Sequence, residues 1–302
     1  MKPIRLLAFC FPIALFAQPF DPSVLEAIGR QDFTGQGTFH RIGMLRQQEE
    51  SRGLLERVRE NLSVQARANT MFFFSDNIFN TPDNTVSDGQ SAEFLGTSLR
   101  AEFSEQLRLN TALDAAFFRH HKGENSGNDF DTRSFRQQLS WERFIMNNKA
   151  SIGLPLSWQY SEVYGAGSGN ALAETWTYGS ALELSWFPNS RVFPSASYNY
   201  SVSDPKNGSG KHKHDLNLGV TLIPFPGERL FIIPSVQYSY EEFKNSERED
   251  QAWTPTLTVS WTPLRFFAID AVTSYTESTS NEDSSEFDAV TGTLFARLFW
   301  NW

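Results

Sequence analysis

From residue 62 onward, hydrophobic and polar side chains alternate with a period of two, the spacing of a half-buried β-strand. The first such stretch, LSVQARANTMFFF, sets Leu62, Val64, Ala66, Ala68, Phe72 and Phe74 on one face and Ser63, Gln65, Arg67 and Asn69 on the other. The pattern returns in about twelve segments, at 62–74, 91–103, 106–119, 132–146, 149–163, 173–187, 190–203, 211–225, 229–242, 250–262, 265–277 and 286–302. Most have about 13 to 16 residues, far beyond the five or six usual in soluble sheets. No stretch approaches eighteen consecutive apolar residues, so a membrane would have to be crossed by strands.

The connections alternate in kind. Every second one is a tight turn, as in MNNK at 146–149, FPNS at 187–190, PFPGER at 224–229 and TPLR at 262–265. The others are longer and polar: SDNIFNTPDNTVSDGQ from 75, HHKGENSGNDFD from 120, SDPKNGSGKH from 203, NSERED from 245 and ESTSNEDSSE from 277. One end of the sheet therefore carries turns and the other carries loops, the asymmetry of barrels that span an outer membrane. A propeller is excluded, because twelve strands would make only about three blades where at least four are usual.

Alternation does not say which face points outward, but aromatic placement does. Tyr160, Tyr200, Tyr240 and Tyr275 fall on the apolar face near the loop end, while Trp186, Trp261, Trp300 and Trp302 fall at the turn end. Rings at both ends are what two headgroup belts require, and the belts stand about nine residues apart, the span of a tilted transmembrane strand. The fold expected is all-β: a transmembrane antiparallel up-and-down β-barrel of about twelve strands over 62–302, with a short N-terminal helical extension.

The first residues, MKPIRLLAFCFPIALFA, combine Lys2 and Arg5 with an apolar run from Leu6 to Phe16 and a small residue at Ala17. That is the build of an export signal over 1–17, cleaved after Ala17. The only cysteine, Cys10, lies inside it, so the mature chain is expected to form no disulfides. Residues 18–61 break the strand pattern. DPSVLEAIGR from 21 reads as a short capped helix and RIGMLRQQEESRGLLERVREN from 41 as a second, placing a periplasmic or plug segment ahead of the barrel. A net charge of -9 argues against a nucleic-acid partner.

With its export signal, long alternating strands and terminal aromatic, the chain resembles Gram-negative outer-membrane β-barrels. More narrowly, MFFFSDNIFNTPDN at 71–84 resembles the aromatic, Asp, Asn, aliphatic, Phe signature of the β-barrel porin 2 family. The resemblance implies outer-membrane lipid as surroundings and a barrel-insertion machinery that reads the C-terminal strand. It implies a porin-like barrel and names no solute; the oligomeric state stays open.

Inward positions are expected to be polar, as a lumen demands. Arg67, Arg100, Arg108, Arg136 and Arg297 come from strands one to four and twelve, which closure makes neighbours; Glu183, Asp215 and Asp270 come from strands six, eight and eleven. They could set a field across a pore. The reading preferred is a neutralised network, because Glu102, Asp114 and Glu142 also point inward on the basic side. HHKGENSGN offers His120, His121, Ser126 and Asn128, types found in an outer-membrane phospholipase, but the spacing departs from that motif and a glycine-rich loop supports positioned catalysis poorly. His212 and His214 in KHKH read as a hydrated loop edge rather than a metal pair. The expectation is a porin-like barrel passing small hydrophilic solutes, or alternatively a closed structural or surface-interaction barrel acting through its loops, with no enzyme activity, cofactor or metal.

Overall fold

The computed structural model describes residues 62–77, 88–121, 129–165, 171–189, 191–206, 210–225, 229–244, 246–264, 266–282 and 285–301. The expected export signal at 1–17 and the segment at 18–61 lie outside the described residues. Twelve strands follow one another: β1 (Leu62–Ser75), β2 (Asp88–Glu102), β3 (Leu107–His120), β4 (Phe130–Ile145), β5 (Ala150–Gly165), β6 (Ala171–Trp186), β7 (Val192–Pro205), β8 (Lys211–Leu222), β9 (Leu230–Phe243), β10 (Glu249–Leu264), β11 (Phe267–Ser280) and β12 (Phe287–Asn301). Each pairs antiparallel with its sequence neighbours, and β12 pairs with β1 from Gln65↔Asn301 to Ser75↔Thr291, closing the cylinder. Closure leaves every strand with two partners and no open edge.

The turn end is built from short hairpins. Between β4 and β5 the chain reverses through Met146, Asn147 and Asn148, all left-handed at φ 53, 54 and 64. Asparagine tolerates that region better than most residues, which is the use of the two in MNNK.

Outward positions carry the exposed large apolar side chains, among them Leu95, Leu99, Leu113, Leu156, Leu182, Leu218, Leu257 and Leu294. Inward positions are mainly polar on β5 to β11. At the loop end of β1 to β6 the structure corrects the expectation of a polar interior. There Met71, Phe73, Ala92, Ala116, Phe118, Phe130 and Val163 form a buried apolar cluster, with Phe94, Ala173 and Phe295 packed against it. Phe118 stacks on Phe130 at 4.4 Å and meets Phe94 edge-on at 5.6 Å. The local cause is visible in MFFF: Phe72 and Phe74 turn outward and are exposed, while Met71 and Phe73 turn inward and are buried.

The residues after MFFF secure the seam. β12 begins four residues before its first partner on β1, leaving that stretch paired with β11 on one side only. Asp76 Oδ1 accepts the Val290 N–H at 3.0 Å, and Asn77 Nδ2 donates to the Asp288 carbonyl at 3.2 Å. Asn77 is itself buried, its N–H donating to Ser75 Oγ at 2.8 Å. The Asp-Asn pair thus supplies backbone partners that a longer β1 would otherwise provide.

Candidate functional site: the barrel interior and the outer rings

Register places all eight charges singled out above on the inward face, where most are locally compensated. Arg67 Nη2 meets Asp114 Oδ1 at 2.6 Å, although these residues belong to β1 and β3. Gly96 of β2 is the direct partner of both. A Cβ on Gly96 would collide with Asp114 Oδ1 and come within 2.8 Å of Arg67 Nε, so the missing side chain is what lets the pair span β2. Arg108 Nη2 meets Glu142 Oε2 at 2.8 Å, Arg100 pairs with Glu102, and Arg297 Nη2 donates to Asp270 Oδ1 at 2.8 Å. Arg136 Nε donates to the Gln159 amide oxygen at 3.0 Å.

The arginines are therefore interleaved with carboxylates and form no wall of one sign. Three of the pairs have side chains less than a fifth exposed, where a charge without a partner would be expensive. A second charged group lies toward the loop end of β8 and β9. Glu241 receives Lys211 Nζ at 2.7 Å and Lys213 Nζ at 2.8 Å. Asp215 accepts from Ser239 Oγ at 2.5 Å and Gln237 Nε2 at 3.0 Å. The lysines and Glu241 were not among the residues picked out in the sequence, although period two along KHKHD places both lysines inward with Asp215. Glu183 differs from the rest: it is inward beside Gly153 and solvent-exposed, so water reaches this part of the interior.

Around the outside, rings collect at two levels. Tyr160, Tyr200, Tyr240 and Tyr275 lie toward the loop end, and exposed Trp186 and Trp261 toward the turn end. Of the final strand, Trp300 pairs with Ala66, and Trp302 is outside the described residues. The loop-end level is fuller than those tyrosines alone. Tyr160 packs on Trp176 at 4.7 Å, Trp158 on Phe135 at 5.0 Å, and Tyr238 on Trp253 at 4.8 Å. Phenols there are tied to polar neighbours: Tyr160 OH donates to Glu162 at 3.0 Å and Tyr240 OH to Glu242 at 3.0 Å.

His212 and His214 belong to this outer level instead of a loop edge. Their Nδ1 atoms lie 2.7 Å from the hydroxyls of Tyr200 and Tyr198 respectively. His120 points into the barrel, against Gln90 and 3.2 Å from Asp129; Ser126 and Asn128 lie outside the described residues. Among the described residues no three His, Cys, Asp or Glu side chains are grouped to hold a metal ion.

No family model matches the chain, and no curated protein matches it. Solved structures do. The COG4313 outer membrane channel from Pseudomonas putida F1 is 8% identical, with a TM-score of 0.56 over 80% of this chain and 95% of that one. The β domain of the Bordetella autotransporter BrkA is 10% identical, with a TM-score of 0.46 over 80% of this chain and 100% of that one. At 8% identity the likeness to the channel shows the fold alone, a closed antiparallel β-barrel.

Proposed function

We propose that this chain is a porin-like outer-membrane β-barrel through which small hydrophilic solutes diffuse passively. The observation that carries the reading is the division of chemistry between the two faces, apolar outside and polar or charge-compensated inside, with solvent-exposed Glu183 on the inner one. A contiguous apolar exterior on this scale belongs in lipid. In this reading the outer face lies in outer-membrane lipid, with Tyr160, Tyr200, Tyr240 and Tyr275 at one headgroup level and Trp186 and Trp261 at the other. The leader directs export, and the C-terminal strand is what the insertion machinery takes up.

A second reading, a closed barrel that serves as a structural or surface-interaction protein, is favoured by one feature, the apolar cluster packed into the loop end. Planar bilayers separate the two. The porin reading predicts stepwise conductance from folded protein, and silence would support the closed barrel. Replacing Arg100 and Arg136 by glutamine is expected to move the reversal potential under a salt gradient toward cation preference, because Glu102 loses its partner and inward positive charge falls. An unaltered reversal potential would remove these arginines from the path.

A further inference from the structure

The strand register arranges neutral polar side chains of the interior into a continuous track that starts beside Glu183. Glu183 of β6 pairs with Ser197 of β7, Ser197 with Asn217 of β8, Asn217 with Gln237 of β9, and Gln237 with Thr254 of β10. Thr254 Oγ1 then lies 3.1 Å from Thr276 Oγ of β11. Such a row runs perpendicular to the strands, and strands of a barrel tilt by about 35–45° from its axis, so the row climbs as it goes round. It begins near the turn end, with Glu183 close to the last residue of β6, and finishes near the loop end of β11, with Thr276 close to Ser280.

A second row runs beside it, two residues along each strand. Ser185 pairs with Ser195, Ser195 with Gly219, Gly219 with Ser235, Ser235 with Thr256, and Thr256 with Ser274. Between Ser197 and Thr276 neither row contains a charge. The ionic side chains flank the rows: the arginine pairs lie on β1 to β4 and β11 to β12, the lysines with Glu241 toward the loop end, and buried Asp215 beside the first row, where it accepts from Ser239 Oγ and Gln237 Nε2. The apolar cluster fills the loop end on the side of β1 to β6, directing whatever passes toward β7 to β11.

We propose that this track selects uncharged, polyhydroxylated solutes of the polyol and sugar class. The inference rests on the channel reading above. A solute entering a narrow lumen gives up water, and each hydrogen bond lost must be replaced. Hydroxyls and amides both donate and accept, and here they recur at every strand, about 4.8 Å apart. A hydroxylated solute can exchange partners from one strand to the next without meeting a deep well, as conduction demands. A free ion meets no charge within the rows between Ser197 and Thr276, and the carboxylate beside them, Asp215, is buried and already bonded to Ser239 and Gln237.

Liposome swelling under isotonic sorbitol, compared with potassium gluconate of similar size, tests the proposal. Wild-type protein is expected to pass sorbitol faster than gluconate. Combining Asn217→Leu, Gln237→Leu and Thr254→Val should slow sorbitol about fivefold to tenfold while potassium chloride conductance stays within about twofold. The near-isosteric Thr254→Val alone, with folding checked by the heat-dependent shift of the barrel on gels, guards against misfolding of the triple variant and should slow sorbitol in the same direction. Gluconate passing as fast as sorbitol, or sorbitol flux unchanged in folded variants, would overturn the track while leaving the channel standing. No swelling and no conductance in wild type would overturn both.

Discussion

Leu95→Arg is expected to destabilise the barrel by about 2–4 kcal/mol, measured by denaturant titration in lipid vesicles. Leu95 sits midway along β2, points outward and is 55% exposed, between Ala68 of β1 and Ala115 of β3. In water an exposed leucine exchanged for arginine would be close to neutral. In hydrocarbon the guanidinium must be desolvated or must distort the bilayer to reach water, and the penalty depends on depth. Phe103→Arg supplies the contrast: this residue is also exposed but lies in the turn after β2, and its replacement should change stability by only about 0–1 kcal/mol. Equal, small effects at both positions would mean that the outer face meets water.

The second large effect lies inside. Phe118→Ala should lower stability by about 3–5 kcal/mol, because the ring is 0% exposed and its neighbours cannot collapse into the space it leaves. Its stacking on Phe130 and edge contact with Phe94 are lost as well, each such aromatic pair contributing about 0.5–1.5 kcal/mol beyond area. The same substitution has a functional reading. If the cluster narrows the loop end, single-channel conductance should rise in the variant, whereas a closed structural barrel would lose stability and remain silent. Stability unchanged within about 1 kcal/mol would show that the cluster is loosely packed.

The strand architecture was legible because period-two alternation survives in nearly every segment and turns alternate with loops, so the twelve strands and the connections at each end could be placed. The outward positions of Tyr160, Tyr200, Tyr240 and Tyr275 followed from the same alternation. What alternation does not carry is register. Arg67 and Asp114 are 47 residues apart, and their pairing depends on both lying opposite Gly96, a fact of cross-strand alignment. The polar track is hidden for the same reason, since Ser197, Asn217, Gln237 and Thr254 become a row only when four strands are aligned. The apolar cluster did leave a signal. MFFF has no alternation, and a run apolar on both faces is the mark of a strand buried on both. The contacts of His212 and His214 with the hydroxyls of Tyr200 and Tyr198 were not legible, because position near a strand end says little about which outer side chains will meet across strands.

The most direct test of an outer face in lipid and an inner face in water is a nitroxide scan along β2 in reconstituted vesicles. Cys10 is the only native cysteine and lies in the expected leader, so single cysteines at Leu95, Thr97, Leu99 and Ser98 can be labelled cleanly. Labels at Leu95, Thr97 and Leu99 should be relaxed strongly by oxygen, which concentrates among acyl chains, and weakly by a water-soluble nickel chelate; the label at Ser98 should show the reverse. Ready access of the nickel chelate to Leu95 and Leu99 would contradict the lipid-facing barrel and, with it, the channel.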